Sequence, residues 1–394
     1  MKMIPLGRTD IQVSDWCLGT MTFSNQTPQD DAHRQIDMGL EAGINFLDTA
    51  EMYPVNPISG ETAGNSERVI GEWIAKTGRR DDIVVATKVS GDNPGWIRGG
   101  AGYDSKVIPE AIDFSLKKLK TDYIDLYQMH WPVRGSYMFR QNWTFDPSTQ
   151  NRAETLDHMI ECLEALQTAV DAGKIRAFGL SNESAWGTSE WLRLSEAGHG
   201  PRVASMQNEY SLLCRLYDTD MAEMAVNEDV TLLSFSPLAC GLLTGKYQGG
   251  AVPDGSRMSI NERMGGRASE RVPAAVDEER RFGEDDVVRF GRVVIAEAED
   301  PDAGQTFGTA IEGEEGVEEV DSFEQHVRFG RDHLLPMIDA GRRDRCGHQT
   351  EVGRFVIRQN VESGIAMIDI VEMPLSSRFD DDRCGVEIVE WQQV

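Results

Sequence analysis

Between Trp16 and about Leu243, short apolar runs alternate with longer stretches whose apolar residues recur at helical spacing. Such alternation predicts repeated βα units on a parallel sheet. The apolar runs place strands at 16–20, 44–48, 83–88, 123–130, 175–181, 203–208 and 230–236, with helices between them over 66–76, 106–119, 153–172, 185–197 and 219–227. The first helix opens at Thr27, an N-cap residue followed by Pro28. It sets Ala32, Ile36, Gly39 and Leu40 on one face and stops at Gly43. Ahead of the first strand, "KMIPLGRTDIQVSDW" holds two extended runs around Gly7 and Arg8, the pattern of a hairpin that would cap the bottom of a barrel.

Seven βα repeats with no Gly-x-Gly-x-x-Gly after the first strand favour an α/β fold of the closed (β/α)8 TIM-barrel type over a doubly wound sheet. An eighth unit is expected after Gly245, and there the pattern is atypical or missing. From Arg267 onward acidic residues outnumber arginine two to one, no lysine occurs, and clusters such as "EAEDPD" and "IEGEEGVEEVD" interrupt the chain. "RVPAAVDEERRF" reads as a helix start and "GIAMIDIVEM" as a strand. We therefore divide the chain into a barrel over 1–266 and an acidic segment over 267–394. Three readings of that segment stand open: a divergent barrel end, an appended region, or a replaced end from an altered reading frame.

The formal net charge of -27 argues against a duplex-binding surface, which needs clustered Lys and Arg. No apolar run has the length of a signal peptide or a membrane span, so a cytoplasmic protein is expected, without membrane or nucleic-acid partners. Six cysteines are scattered without CxxC pairs, and no HExxH-type pair occurs, so neither disulfides nor a metal site is expected. Oligomeric state is not set by the sequence.

Candidate chemistry lies at the C-terminal ends of the strands, where barrel active sites sit. The second strand ends at Asp48 with Tyr53 in the turn beyond it, the third at Lys88 and the fourth at His130. Reducing a carbonyl by hydride transfer leaves negative charge on oxygen, so such a site needs a proton donor and a positive setting. A phenol of pKa about 10 serves as the acid when an ammonium stabilises its anion. Tyr53 fits the general acid, Lys88 the ammonium, Asp48 the partner that aims Lys88, and His130 a hydrogen-bond donor to the substrate oxygen. Each residue taken singly has a common structural use, Asp48 as a turn former, Lys88 as a solvated end and His130 as a core histidine; their order at successive strand ends carries the reading.

"GINFLDTAEMY", "ATKV" and "YIDLYQMHWP" resemble the aldo-keto reductases, and Asp48, Tyr53, Lys88 and His130 match that family's catalytic tetrad. The resemblance continues in "GKIRAFGLSN", "MQNEYSLL" and "LLSFSPLACGLLTGKY", covers residues 1 to about 247, and is closest to the bacterial branch related to potassium-channel β subunits. It implies reduction of a small aldehyde or ketone with NADPH, leaving NADH open. Ser181, Asn182 and Gln207 would hold the nicotinamide carboxamide and Phe235 would stack on its ring. Gly19, Thr20 and Met21 would lie beneath it, and Ser236, Pro237, Leu238, Gly241, Leu243 and Lys246 would line the rest of the cofactor. The family's closing Gly-Ala, Gln-Leu and Asn motif for the adenosine end is not found after Arg267. An inactive or regulatory nucleotide-binding barrel is the competing reading.

Two loops complete the expectations. The long connection 131–152 carries Trp131, Tyr137, Phe139, Trp143 and Phe145, read equally as an aromatic substrate wall led by Trp131 or as a loop packed on itself. "GWIRGGAG" reads as a flexible glycine-rich loop without a role. "GLLTGKY" departs from a phosphate-loop motif in spacing and reads as the seventh barrel loop.

Overall fold

A computed structural model describes residues 1–277 other than Asn56, together with six short backbone stretches further on. A hairpin, β1 (Met3–Pro5) and β2 (Gln12–Ser14), precedes seven parallel strands: β3 (Trp16–Gly19), β4 (Phe46–Asp48), β5 (Val84–Val89), β6 (Ile124–Met129), β7 (Ile175–Ser181), β8 (Val203–Glu209) and β9 (Thr231–Phe235). Each strand pairs with the next in chain order, so the sheet curls around a common interior. Helices α1 (Gln29–Glu41), α2 (Asn65–Thr77), α3 (Val107–Leu119), α4 (Arg152–Asp171), α5 (Ala185–Glu196) and α6 (Met221–Glu228) follow β3 to β8 in turn. The strands and helices lie where the sequence pattern puts them, within a few residues at their ends.

Strand alternation divides the apolar residues into two layers. Cys17, Phe46, Ala86, Leu126, Ala177 and Leu233 fill the barrel interior, together with Ile4, Leu6, Ile11 and Val13 of the hairpin. Leu18, Leu47, Val85, Tyr127 and Phe178 face the other way, onto Trp73, Ile112, Leu163 and Trp191 of the helices. The hairpin is the floor. Asn45 fastens it, accepting from Ser14 N at 2.7 Å and donating to Gln12 O at 3.1 Å. At its turn Gly7 has φ +54 and gives its N–H to Thr231 Oγ1 at 2.7 Å; a Cβ there would meet Ala204 O at 2.4 Å, so only glycine fits. Beneath the strands, buried Asp125 accepts from Arg80 and Arg176, both at 2.7 Å.

The eighth βα unit expected after Gly245 is not found among the described residues. Beyond β9 the chain makes short helical turns at Ala239–Thr244, Gln248–Gly250, Arg257–Ile260 and Met264–Gly266. The space between β9 and β3 is bordered by Ile388–Gln392, which pairs antiparallel with both; a βα repeat would have arrived parallel. Within "GIAMIDIVEM" a two-residue strand, Ala366–Met367, pairs parallel with Trp16 and Cys17. The "RVPAAVDEERRF" run starts with a turn at Arg271 and is helical over 272–277, and residues 278–282 and both acidic clusters lie outside the described residues. Among the described residues no helix is long and apolar enough to cross a membrane.

Candidate active site

Above the apolar interior, the inward positions turn polar. Asp48 ends β4, Lys88 lies near the end of β5, Gln128 near the end of β6 and Gln207 on β8. Lys88 is fully buried and gives hydrogen bonds to Asp48 Oδ2 at 2.5 Å and to the Thr49 carbonyl at 2.8 Å. The other carboxylate oxygen, Oδ1, accepts from Gln207 Nε2 at 2.9 Å and Gln128 Nε2 at 3.2 Å. A buried charge pair is retained when its remaining hydrogen-bonding capacity is filled, as here. Burial pulls the Lys88 ammonium below the ordinary lysine range, and the Asp48 carboxylate opposes that shift.

The turn after β4 carries half-buried Tyr53 back over this pair. Lys88 Nζ stands 4.9 Å from the centre of the Tyr53 ring, and the His130 ring meets the same phenol edge-on at 5.6 Å. His130 is buried, with no hydrogen bond at Nδ1, and burial followed by the charge of Lys88 holds its pKa well below the ordinary histidine value. The imidazole is therefore neutral near pH 7 and has one N–H to give. All four residues singled out at the strand ends meet at one place.

Trp131 packs at a tilt against His130 at 4.7 Å and meets Phe139 edge-on at 5.9 Å, while its indole N–H bonds the Asp92 carbonyl at 3.0 Å. The loop holding these rings is fastened to the neighbouring strand ends. Ser136 Oγ bonds the Asn182 carbonyl at 2.8 Å, Arg134 pairs with Glu183, and Arg140 pairs with Glu209. Arg267 reaches the same Glu209 at 2.8 Å, so the first residue of the acidic segment is docked on the barrel mouth. Trp143 is 91% exposed and stands apart from the inner rings.

The positions expected to hold a cofactor form a second arc. Thr20 is buried, bonding the Asp48 carbonyl through its N–H at 3.0 Å and its hydroxyl at 2.8 Å, with Gly19 buried below and Met21 half-buried above. Asn182 Nδ2 donates to the His130 carbonyl at 2.9 Å and to Ser181 Oγ at 3.0 Å, Ser181 Oγ donates to the Gln207 carbonyl at 2.9 Å, and Asn182 Oδ1 is buried with no partner in the chain. Gln207 Nε2 gives one of its two hydrogens to Asp48 Oδ1 at 2.9 Å. Half-buried Phe235 ends β9. Past it Ser236 (φ 56), Ala239 (φ 50), Cys240 (φ 59) and Gly241 (φ 91) take left-handed backbone around Pro237 and Leu238, and the turn closes on itself, Ala239 N–H bonding the Ser236 carbonyl at 2.8 Å and Gly241 N–H the Leu238 carbonyl at 2.9 Å. Leu243 packs beneath this turn against Ala239 and Leu242. Lys246 lies beside it, its pKa lowered by burial and then by the charge of Arg257.

Sequence reasoning missed Gln128, Glu51, Arg98 and Arg257. Gln128 was within reach, because it stands two residues before His130 on a strand whose inward positions are otherwise apolar. Glu51 lies between Asp48 and Tyr53, is 1% exposed, and forms a two-pronged pair with Arg98 at 2.8 Å for each contact. Arg98 belongs to "GWIRGGAG", expected to have no role, and ties that loop to Glu51 and to the Ser90 carbonyl. Arg257 has no local signal; only the folded loop brings it to Lys246.

Comparison with known proteins places the chain in a family. Residues 16–279 match the Aldo/keto reductase family. The chain is 42% identical over 295 residues to Protein tas of Escherichia coli, covering 72% of this chain and 83% of that protein. It is 32% identical over 269 residues to a probable voltage-gated potassium channel subunit beta of Arabidopsis thaliana, covering 66% and 71%. It is 31% identical over 275 residues to the NADH-specific methylglyoxal reductase of Escherichia coli, covering 65% and 73%. The chain belongs to the aldo/keto reductase family of oxidoreductases.

Proposed function

We propose that this protein reduces an aldehyde or ketone to the alcohol with a nicotinamide dinucleotide, Tyr53 delivering the proton. The observation that carries the reading is the Lys88 ammonium, fully buried, held by Asp48 and 4.9 Å from the Tyr53 ring. An ammonium at that range favours the phenolate and makes the phenol a stronger acid. Neutral His130 orients the carbonyl by donating one hydrogen bond, and Trp131 with Phe139 walls the substrate on the His130 side.

The residues present fit the cofactor. Asn182 Oδ1, buried and without a partner, suits the N–H of a carboxamide, and Phe235 offers a ring face. Lys246 and Arg257, close together beside the 239–241 turn, would offer positive charge to a diphosphate. When bound there, the nicotinamide would supply the hydride. Both NADPH and NADH belong in the test, since one relative is named NADH-specific.

Titration with each cofactor followed by steady-state reduction of 4-nitrobenzaldehyde tests the reading. Micromolar binding with turnover is expected, and Tyr53→Phe should abolish turnover while leaving cofactor affinity within about twofold. Absence of cofactor binding would refute the reading. Binding without turnover would favour a non-catalytic nucleotide-binding barrel, and turnover retained in Tyr53→Phe would remove Tyr53 as the acid.

A further inference from the structure

We propose that Glu51 and Arg98 are a positioning pair, holding the turn that carries Tyr53 against the strand that carries Lys88. The inference rests on the catalytic reading of Tyr53 and Lys88 and adds what sets the distance between them. Tyr53 and Lys88 are on different elements, the turn after β4 and the strand β5, so how the turn is fastened to β5 bears on their spacing.

Glu51 is the fastening. Its backbone N–H bonds the Lys88 carbonyl at 3.2 Å, one step beyond the Thr49 N–H to Ala86 bond at 2.9 Å, so the turn continues the β4–β5 ladder past the end of β4. Its side chain then reaches further up β5, where Oε1 accepts from the Ser90 N–H at 2.6 Å. Both carboxylate oxygens are held by Arg98, whose Nη2 also bonds the Ser90 carbonyl at 3.1 Å. Glu51 thus grips residues 88 and 90 on either side of the β5 end, two positions before the phenol.

Arg98 arrives by a costly backbone path. Arg98 (φ 51), Gly99 (φ 63) and Gly100 (φ 101) are left-handed in succession. A Cβ on Gly100 would stand 2.6 Å from the Asn93 carbonyl, so the turn requires glycine there. Asn93 Oδ1 closes the loop from inside, accepting from Trp96 N at 2.8 Å and from Gly95 N and Ile97 N, both at 3.2 Å. Non-glycine strain of this kind persists where the surroundings over-determine it. Here the surroundings deliver one guanidinium to one buried carboxylate. After Glu51, the groups that act most on Arg98 are Tyr127 from β6 and Glu110 from α3, and Glu67 from α2 lies within range of Glu51; none of these is a cation. Arg98 is therefore the cation that balances Glu51, and removing it leaves a buried charge that must move toward water, taking the turn with it.

The test compares wild type, Arg98→Met, Arg98→Lys and Glu51→Gln. Two readouts are used: steady-state reduction of 4-nitrobenzaldehyde, and titration of the Tyr53 phenol by ultraviolet difference absorption of each protein against its Tyr53→Phe counterpart. Arg98→Met should lower kcat by ~10-fold or more with cofactor Kd within ~2-fold, because displacement of a reacting group by about 1 Å costs rate rather than binding. The phenol titration should move upward as Tyr53 leaves the Lys88 charge, and Arg98→Lys should recover part of both effects. Unchanged kcat and unchanged phenol titration in folded Arg98→Met would overturn the proposal. If Arg98→Met does not fold, Glu51→Gln decides by the same two readouts, because it keeps an oxygen for the Ser90 N–H while removing the charge and one of the two acceptors of Arg98. A wild type that does not turn over sinks the catalytic reading, while the phenol titration still judges the positioning one.

Discussion

Glu67 on α2 should make this protein lose stability as pH rises through the neutral range, opposite to the usual behaviour of a carboxylate. The side chain is completely buried against β5, where Oε1 accepts from the Thr87 hydroxyl at 2.6 Å. Its Oε2 has no hydrogen bond of ordinary geometry, although the Ser115 hydroxyl is close enough to act on it. Burial raises its pKa to about 7; Thr87, Ser115 and Lys118 pull the other way and Glu51 adds to the rise. The ordinary value is 4.5. A folded pKa above the unfolded one means that the fold binds the proton more tightly, so the full stability is present below pH 4.5 and is lost progressively up to the folded pKa. The shift of 7 − 4.5 = 2.5 corresponds to about 3 kcal/mol at 1.36 kcal/mol per unit. Between about pH 5 and pH 8 most of that, roughly 2–3 kcal/mol, should appear. Glu67→Gln keeps the acceptor for Thr87, gives Ser115 a donor and cannot ionise. Denaturant unfolding of both proteins at a series of pH values should show the variant gaining on wild type as pH rises. A difference that stays flat within about 0.5 kcal/mol from pH 5 to pH 8 would refute the argument, because every unrelated group cancels in the comparison.

Four further outcomes follow from the geometry. Lys246→Met and Arg257→Met should each weaken cofactor binding ~10-fold or more, as for lost charge-assisted bonds, with a smaller change in kcat, measured by cofactor fluorescence titration. His130→Gln should lower the reduction rate without removing a limb from the pH profile around the ordinary histidine pKa of 6.5, because burial and the Lys88 charge hold the wild-type imidazole well below it. Asp125→Ala strands Arg80 and should cost roughly 3–5 kcal/mol of unfolding free energy while leaving the mouth chemistry in place. Arg140→Met leaves Arg267 still paired with Glu209 but releases the loop 131–152, and limited proteolysis should find new cleavage within it.

The strands and the residues at their ends were legible because both follow local rules. An apolar run followed by Asp48, Lys88 or His130 marks a strand reaching a polar mouth, and the helix faces show their 3.6-residue spacing directly. Arg98 was not legible. Its function depends on three successive left-handed residues, and a sequence with two glycines in that place reads as flexible whether or not the chain closes on an acceptor such as Asn93. Glu209 and its two arginines were hidden for another reason, since Arg140 and Arg267 lie 69 and 58 residues away along the chain and no periodicity links them. The end of the barrel was legible only as a break in the pattern: the eighth unit expected after Gly245 reads as atypical or missing, and the segment beside β9 is Ile388–Gln392, which runs the opposite way.

Asp48 does more than aim a lysine. Through one carboxylate β4 is joined to β5 by Lys88, to β6 by Gln128 and to β8 by Gln207, which spans 159 residues of chain. The charge pair is thus also a brace across the interior, and strands from opposite walls share it. Mechanical and chemical duties that other residues divide are fused at this position. Substitutions at Tyr53 can silence the proposed reaction and leave a sound scaffold, but at Asp48 the two losses come together. Selection for a sturdier barrel therefore has no independent handle there, and any tolerated change must begin among the two glutamines that surround it.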